Sequence, residues 1–388
     1  MHDSDVKGLV EIGSSRLGGY GDGMQVMPHG DALYVGHFGI SGMGTSIVDA
    51  SDPTELRLVD QWPAPPGGHT HKVQVADGLL LTNHEAFRGN TPDRVGVAVY
   101  DIADPFDPRE IGFWNSTGQG AHRIVWEGGR YAYASATPDG FAERIWVVLD
   151  LEDPSRPIER ARWWWPGMAE GEARDWPTSE ERSVHHALVD GDRAYLGFWD
   201  SGMVILDIAD LDSIDVVARL NWDIGGNTHT CLPLPGRNLV VVTDEPVVDD
   251  CEGAPHMIRV VDVSNESAPY VASICPMPQG DFCERGLRFG AHCLHENWPG
   301  SYQSEQFVFA TWFNAGLRIY DLADPTRPEE VAHWIPACPP EQKAVQINDV
   351  YVTDDLTIYA TDRVTGGVYA LKPETWLAAK LDSGRRSL

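Results

Sequence analysis

One type of segment recurs along the whole chain and limits what it can fold into. It reads "TSIVDASDPTE", "VAVYDIADPFDP", "IWVVLDLEDPSRP", "MVILDIADLDS", "IRVVDVSNESAP", "LRIYDLADPTRP" and a degenerate "GVYALKPE". Each is a short β-branched or aliphatic run that ends on Asp or its substitute, and most are followed by a turn rich in Asp, Ser and Pro. A further short strand follows most turns, as in "REIGFW" and "EEVAHW". Ahead of each run lies a second cassette, two apolar strands around a Gly/Asp/Arg turn, as in "VQVADGLLLTNHE" and "ALVDGDRAYLGFWD". Each unit is therefore four short antiparallel strands.

Aligned on that turn, the units have anchor residues at Met24, His71, His122, His185, His229, His292 and Asn348. Neighbouring anchors lie between 44 residues (185 to 229) and 63 residues (122 to 185) apart. Seven such units predict an all-β fold, a seven-bladed β-propeller with four-stranded antiparallel blades in a single domain over 1–388. A β-sandwich or two stacked sheets would not explain seven repeats. The last unit lacks a fourth strand, and "GLVEIG" (8–13) is expected to supply it, which would remove two open sheet edges. The runs "VILDIAD", "RIYDLADPTRP" and "AVYDIADPFDP" resemble those of the LVIVD-repeat proteins. That resemblance implies the propeller fold and is nearly silent on activity.

Lys and Arg total 29 against 58 Asp and Glu, a formal charge of −29. Such a balance disfavours nucleic acid as a partner, since binding it draws on clustered positive charge. No run approaches a membrane span, and no apolar stretch follows the opening "MHDSDVKGLVEIG". A soluble, cytoplasmic protein without membrane association is expected; oligomeric state is not legible. The six cysteines form no CxxC pair and are expected to be free thiols, although Cys275 and Cys283 could pair in an exported protein. There is no GxSxG, HExxH, Walker loop or GxGxxG after a strand, which argues against serine hydrolases, zincins, nucleotide enzymes and Rossmann dehydrogenases.

Histidine accounts for only 14 of 388 residues, yet five of the seven anchors are histidine. In a propeller the anchor starts the innermost strand, beside the central channel. Second strands return to the same rim, bringing His84, Glu85, Trp199, Asp200, Asp244, Glu245, Trp312, Phe313 and Arg363. Insertions near 163–183, 245–256 and 275–290 are expected to cover that face as lids. Neutral imidazole is the commonest transition-metal ligand, so His122, His185, His229 and His292 are the expected ligands. Glu85, Asp200, Asp244, Glu245 and Asn348 are expected to hold those ligands from behind. His71, His84 and Arg363 are the candidates for proton transfer, and Trp199, Trp312 and Phe313 for the substrate pocket. The competing explanation is that repeats reuse one residue for packing alone. His186, next in sequence to His185, should point into blade packing, and His2, His256 and His333 read as surface or packing residues.

An all-histidine set leaves the metal its full dipositive charge. The arrangement is similar in architecture to three groups of histidine-metal propeller enzymes: carotenoid-cleavage oxygenases (iron), selenium-binding-protein-type thiol oxidases (copper) and oligogalacturonate lyases (manganese). None of their motifs occurs here. The expected function is a metal-dependent oxidoreductase or oxygenase using Fe or Cu on a small substrate, with aromatic molecules among the candidates. A lyase or hydrolase using Mn or Zn as Lewis acid comes next, and a non-catalytic interaction propeller is third.

Overall fold

A computed structural model describes residues 4–386; His2 lies outside them. The cassettes form the antiparallel blades of a β-propeller: among the described residues there are five four-stranded sheets and one nine-stranded sheet that joins the strands of blades 2 and 3. Blade 3 is typical. Gly120–Val125 pairs with Tyr131–Thr137, which pairs with Ile145–Asp150, which pairs with Ile158–Trp163. The third strand, "IWVVLD", is buried at every position, whereas the fourth is mostly part-exposed. Continuous apolar runs belong to strands covered on both faces, and mixed runs to an edge.

The recurrent Asp caps the turn after each third strand. Its carboxylate accepts the backbone N–H two residues on: Asp101 from Ala103 at 2.8 Å, Asp207 from Ala209 at 3.0 Å, Asp262 from Ser264 at 2.9 Å and Asp321 from Ala323 at 2.9 Å. A second Asp repeats the device three residues later, as Asp104 does to Phe106 at 3.0 Å. This Asx-turn chemistry explains why the motif is Asp-rich on its solvent side.

By contacts the chain divides into two compact units. One comprises the chain up to Val26, Asp52–Leu56 and Trp222–Leu388, with blades 5 to 7; the other comprises Met27–Ser51 and Arg57–Asn221, with blades 2 to 4 and most of blade 1. The N-terminal strand closes blade 7, with Leu9–Ser15 paired to Gly367–Pro373. A second N-terminal strand, Asp5–Lys7, pairs with His333–Ile335 of blade 6 and was not expected. It lies on the outer edge of blade 6, whereas at the inner edge the segment after His292 pairs with the next strand at one bridge, Leu294 with Ala310. There Asn297, at φ +53, turns the chain out of the ladder and exchanges two hydrogen bonds with Ser304.

The expectation of six free thiols is corrected: Cys251 and Cys283 form a disulfide that ties the 245–256 insertion to the 275–290 insertion. Cys275 is a buried free thiol, so the Cys275–Cys283 pairing is not the one formed. In the 163–183 insertion, Trp163, Met168 and Trp176 are buried in a hydrophobic core with Phe198, so this part of the insertion packs against its blades. Among the described residues no helix is long and apolar enough to cross a membrane.

Leu9 is 2% exposed in the core beside blade 7. Leu9→Ala should therefore cost about 2–5 kcal/mol, read as a lower urea midpoint. An unchanged midpoint would mean that the N-terminal strand does not close the blade.

Candidate functional site

Three of the anchors are placed by β-bulges. Across the first hairpin of blade 3, Ala121 faces Ala136 and Arg123 faces Ser135, leaving His122 as the extra residue. His229 is bulged in the same way between Thr228 and Thr230, and Asn348 between Ile347 and Asp349. A bulge bends its strand and re-aims one side chain. The amide after the anchor is caught by a polar side chain on the second strand. Arg123 N–H donates to Ser135 Oγ at 3.2 Å, Cys293 N–H to Thr311 Oγ1 at 3.0 Å, Asp349 N–H to Thr361 Oγ1 at 3.2 Å and Lys72 N–H to Asn83 Oδ1 at 2.8 Å. The same side chains then donate onward to the next blade within each unit: Ser135 to His185 O at 2.9 Å, Thr311 to Asn348 O at 3.0 Å, Thr361 to Met24 O at 3.0 Å and Asn83 to Ala121 O at 2.9 Å.

In the unit spanning blades 2 to 4, Glu85 organises a histidine cluster. Its Oε2 accepts from His69 Nε2 at 2.6 Å and from His122 Nδ1 at 2.9 Å. Burial raises the Glu85 carboxyl, but His122 and His69 outweigh it and hold the group below the usual carboxylate range. With its proton on Nδ1, His122 turns the bare Nε2 toward His185 Nε2, 3.1 Å away. Burial pushes His122 down to about 4, against the pull of Glu85, so the ring is neutral at pH 7. His185 stacks on Trp199, with ring centroids 5.0 Å apart at 20°.

His71 differs in kind. Asn83 Oδ1 is committed to Lys72 N–H, so its NH2 group faces His71 Nδ1 at 3.1 Å and donates. The neutral His71 ring must then carry its proton on Nε2, a buried nitrogen with no hydrogen-bond partner. That makes it a poised donor, not a ligand, although His69, His71 and Glu85 lie close enough to hold an ion.

In the other unit, His229 and His292 have ring centroids 4.3 Å apart. His292 donates from Nδ1 to Asn348 O at 2.8 Å, which leaves Nε2 unprotonated in the neutral ring. That nitrogen faces Glu245 Oε1 at 3.5 Å, and His229 Nε2 faces Glu245 Oε2 at 4.0 Å. A lone pair opposite a carboxylate oxygen calls for a cation or proton between them. Cys293 is also near enough to join the two histidines around an ion. His292 stacks on Phe313 with centroids 4.5 Å apart. Phe313 and Trp199 occupy equivalent turns and share positive φ, +47 and +45, a conformation costly for a bulky side chain. Both rings lie over the histidine of their own blade.

Strand alternation divides the remaining candidates. Glu85 and Glu245 face the histidines, so their neighbours His84 and Asp244 face away. His84 packs edge-on to Phe113, with neither ring nitrogen hydrogen-bonded, so the structure does not bring it into the cluster. Asp244 is buried in an ion pair with Arg259 instead of supporting a ligand. Asp200 accepts Glu181 N–H at 2.9 Å and lines a separate cleft of about 260 Å³ with Glu143 and Arg174. Trp312 is buried against Phe289, away from His292, because it alternates with Phe313. Asn348 supports His292 through its backbone carbonyl, not its side chain, which donates to Met24 O at 2.7 Å. Arg363 lies 3.9 Å from Glu245 Oε1. His186 is buried in its blade, His37 is bonded to Ser46 Oγ at 2.6 Å, and His295 bonds Tyr302 O at 2.6 Å and Val352 N–H at 3.3 Å. His69 and Asn83 were not among the expected site residues, although "GGHTHKV" and "TNHE" carry both in plain sight.

The LVIVD repeat family matches residues 182–221 and 257–276. Among solved structures, the chain is similar to the WD40 β-propeller domain of Doa1, at TM-score 0.54 and 10% identity over 96% of this chain and 98% of that one. It is also similar to the computationally designed Ika8 protein, at TM-score 0.53 and 10% identity over 93% and 98%. At that identity these likenesses establish the fold alone. No curated protein sequence matches the chain.

Two predictions test the sorting. Asp244→Ala strands a buried guanidinium and should cost about 3–5 kcal/mol in denaturant unfolding; a loss under ~1 kcal/mol would show that the pair is not buried as described. Burial holds His84 and His295 near about 4, below the usual 6.5. The unfolded chain then binds more protons between these values, so stability present above pH 6.5 is lost as pH falls toward 4. His84→Phe should flatten the fall of Tm over that window, and an identical slope would refute the assignment.

Proposed function

We propose that this chain is a metal-dependent enzyme acting on a small molecule, with an oxidoreductase or oxygenase as the leading reaction class. The reading is carried by the way imidazole nitrogens are presented: a carbonyl or carboxylate occupies Nδ1 and leaves Nε2 bare. His292 does this through Asn348 O and His122 through Glu85. Metal-binding histidines are held in this manner. Two donors about 2.1 Å from one ion lie roughly 3.0–3.4 Å apart, close to the His122–His185 and His292–Glu245 spacings.

Each unit carries half of the four expected ligands, His122 with His185 and His229 with His292. Glu245 adds an oxygen donor to the second pair. Two histidines and one carboxylate are the donor set of non-haem Fe(II) oxygenases, which favours iron over copper. Mn or Zn would suit the same donors and a Lewis-acid lyase or hydrolase, the second reading. It is favoured by His71, whose Nε2–H is a ready proton or hydrogen-bond donor. The substrate is a small molecule, with Trp199 as an apolar wall beside His185 in one unit or Phe313 beside His292 in the other. The disulfide favours an oxidising compartment over the cytoplasm.

Elemental mass spectrometry of untagged protein should find near-stoichiometric Fe, or Mn or Zn for the second reading. Ala at His122, His185, His229 or His292 should lower bound metal, Glu85→Gln should weaken it about 10–100-fold, and His84→Phe should leave it intact. Protein that holds no metal and takes up none on reconstitution would return the histidines to packing and make an interaction platform the better reading.

A further inference from the structure

The two insertions next to Glu245 are joined by the single disulfide among the described residues. Cys251–Cys283 ties 245–256 to 275–290, with Cys283 exposed and Cys251 partly so. The other four cysteines are buried free thiols. Both bonded cysteines line an apolar cavity of about 120 Å³ with Pro246, Val248, Met277 and Phe289, which leaves room for their side chains to turn. An outside thiol can therefore meet this bond without the blades opening.

The join is held against backbone strain. Asp250 and Cys251 follow one another in left-handed conformation, at φ +58 and +57, and Leu287, bonded to Asp250 from the other insertion, is at φ +60. Side chains with a Cβ rarely adopt this region and hold it only where their surroundings impose it. Apart from the disulfide, little imposes it here. Asp250 N–H donates to Leu287 O at 2.9 Å, Leu287 N–H to Asp250 Oδ1 at 3.1 Å, and Lys343 Nζ to the same carboxylate oxygen at 3.0 Å. The lysine and the aspartate are both exposed, so their ion pair adds little. The next residue, Arg288, donates to Glu245 Oε1 at 3.0 Å, which puts the join one residue from the histidine site. Gln346 holds the backbone of Arg288 from the other side, through its N–H at 3.2 Å and its carbonyl at 3.1 Å, and so bounds any movement.

We propose that Cys251–Cys283 is a redox switch: small thiols reduce it in the folded protein, and its reduction parts the two insertions beside Glu245. A thiolate attacks the exposed Cys283 Sγ, the bond between the cysteines breaks, and Cys251 leaves as a thiolate. A second thiolate attacks the reagent sulfur of the mixed disulfide, and Cys283 leaves in turn. Two small thiols are oxidised to one disulfide, and the two protons they give up are taken up by the two cysteines. Without the bond, Asp250 and Cys251 relax to negative φ and the hydrogen bonds between Asp250 and Leu287 are lost. The switch belongs to the insertions and stands whether or not the histidines hold a metal.

The test uses the full chain, oxidised and then treated with excess glutathione without denaturant. Alkylation read by mass spectrometry should label Cys251 and Cys283 and spare Cys231, Cys275, Cys293 and Cys338, with circular dichroism unchanged. Hydrogen exchange in peptides covering 248–252 and 286–289 should quicken about 10-fold on reduction and return on reoxidation. Exchange across the buried strand Ile145–Asp150 should not change. The double variant Cys251→Ser, Cys283→Ser should exchange like the reduced protein and ignore glutathione; should it fail to fold, the reduced unsubstituted chain carries the test. Cysteines that label only after denaturation would make the bond a structural staple and overturn the proposal. So would reduction that leaves exchange in both peptides unchanged, or a chain whose two cysteines are free as isolated and do not pair on oxidation.

Discussion

In four blades a polar side chain near the end of the second strand holds the anchor segment in place. A buried amide without a partner costs more than a typical hydrogen bond contributes. Ser135 and Thr361 take up the amide after a bulged anchor, Thr311 and Asn83 the amide after His292 and His71, and all four then donate to the backbone of the neighbouring blade. A single hydroxyl or amide thus satisfies that N–H and joins two blades. The anchor side chain that the bulge releases is held on a backbone bonded on both sides. Gly36 shows how tight this packing is: a Cβ there would come within 2.5 Å of the His71 carbonyl oxygen.

The next layer decides which nitrogen each histidine offers. Lys72 N–H fixes the orientation of the Asn83 amide, and Asn83 fixes the proton of His71. Glu85 fixes His122, and the Asn348 carbonyl fixes His292. Residues of one type at one register are therefore not equivalent. His71 presents a proton, whereas His122 and His292 present lone pairs. A structural histidine such as His295 has both nitrogens satisfied, as acceptor from Val352 N–H and donor to Tyr302 O. The contrast distinguishes function from packing better than repetition does.

Around the histidines the aromatic rings and charges are asymmetric. Trp199 and Phe313 are held at positive φ, so the backbone carries strain where these two rings cover His185 and His292. Glu245 sits among two histidines and two arginines, while Glu85 sits among histidines alone. One carboxylate is thus shared with guanidinium groups, and the other orients imidazole rings. The disulfide between the two insertions flanking the arginine cluster limits how far those segments can move apart.

The repeat itself determined the fold. Seven apolar cassettes with Asp-rich turns can bury both faces of their strands only by packing blade on blade, and the periodicity of the anchors named His71, His122, His185, His229 and His292 as a set. Alternation along the strand was also legible, since adjacent residues cannot both face the histidines. Which member of each pair does so was not: His84 against Glu85 and Asp244 against Glu245 depended on the register of the second strand. The bulges were hidden because an extra residue leaves no mark in an apolar pattern until its partner strand is aligned. The Cys251–Cys283 pairing was likewise hidden, because two irregular insertions meet only in the folded chain. Only the tertiary structure could set the tautomers, since a ring proton is placed by the group facing it, and that group is supplied by another strand or another blade.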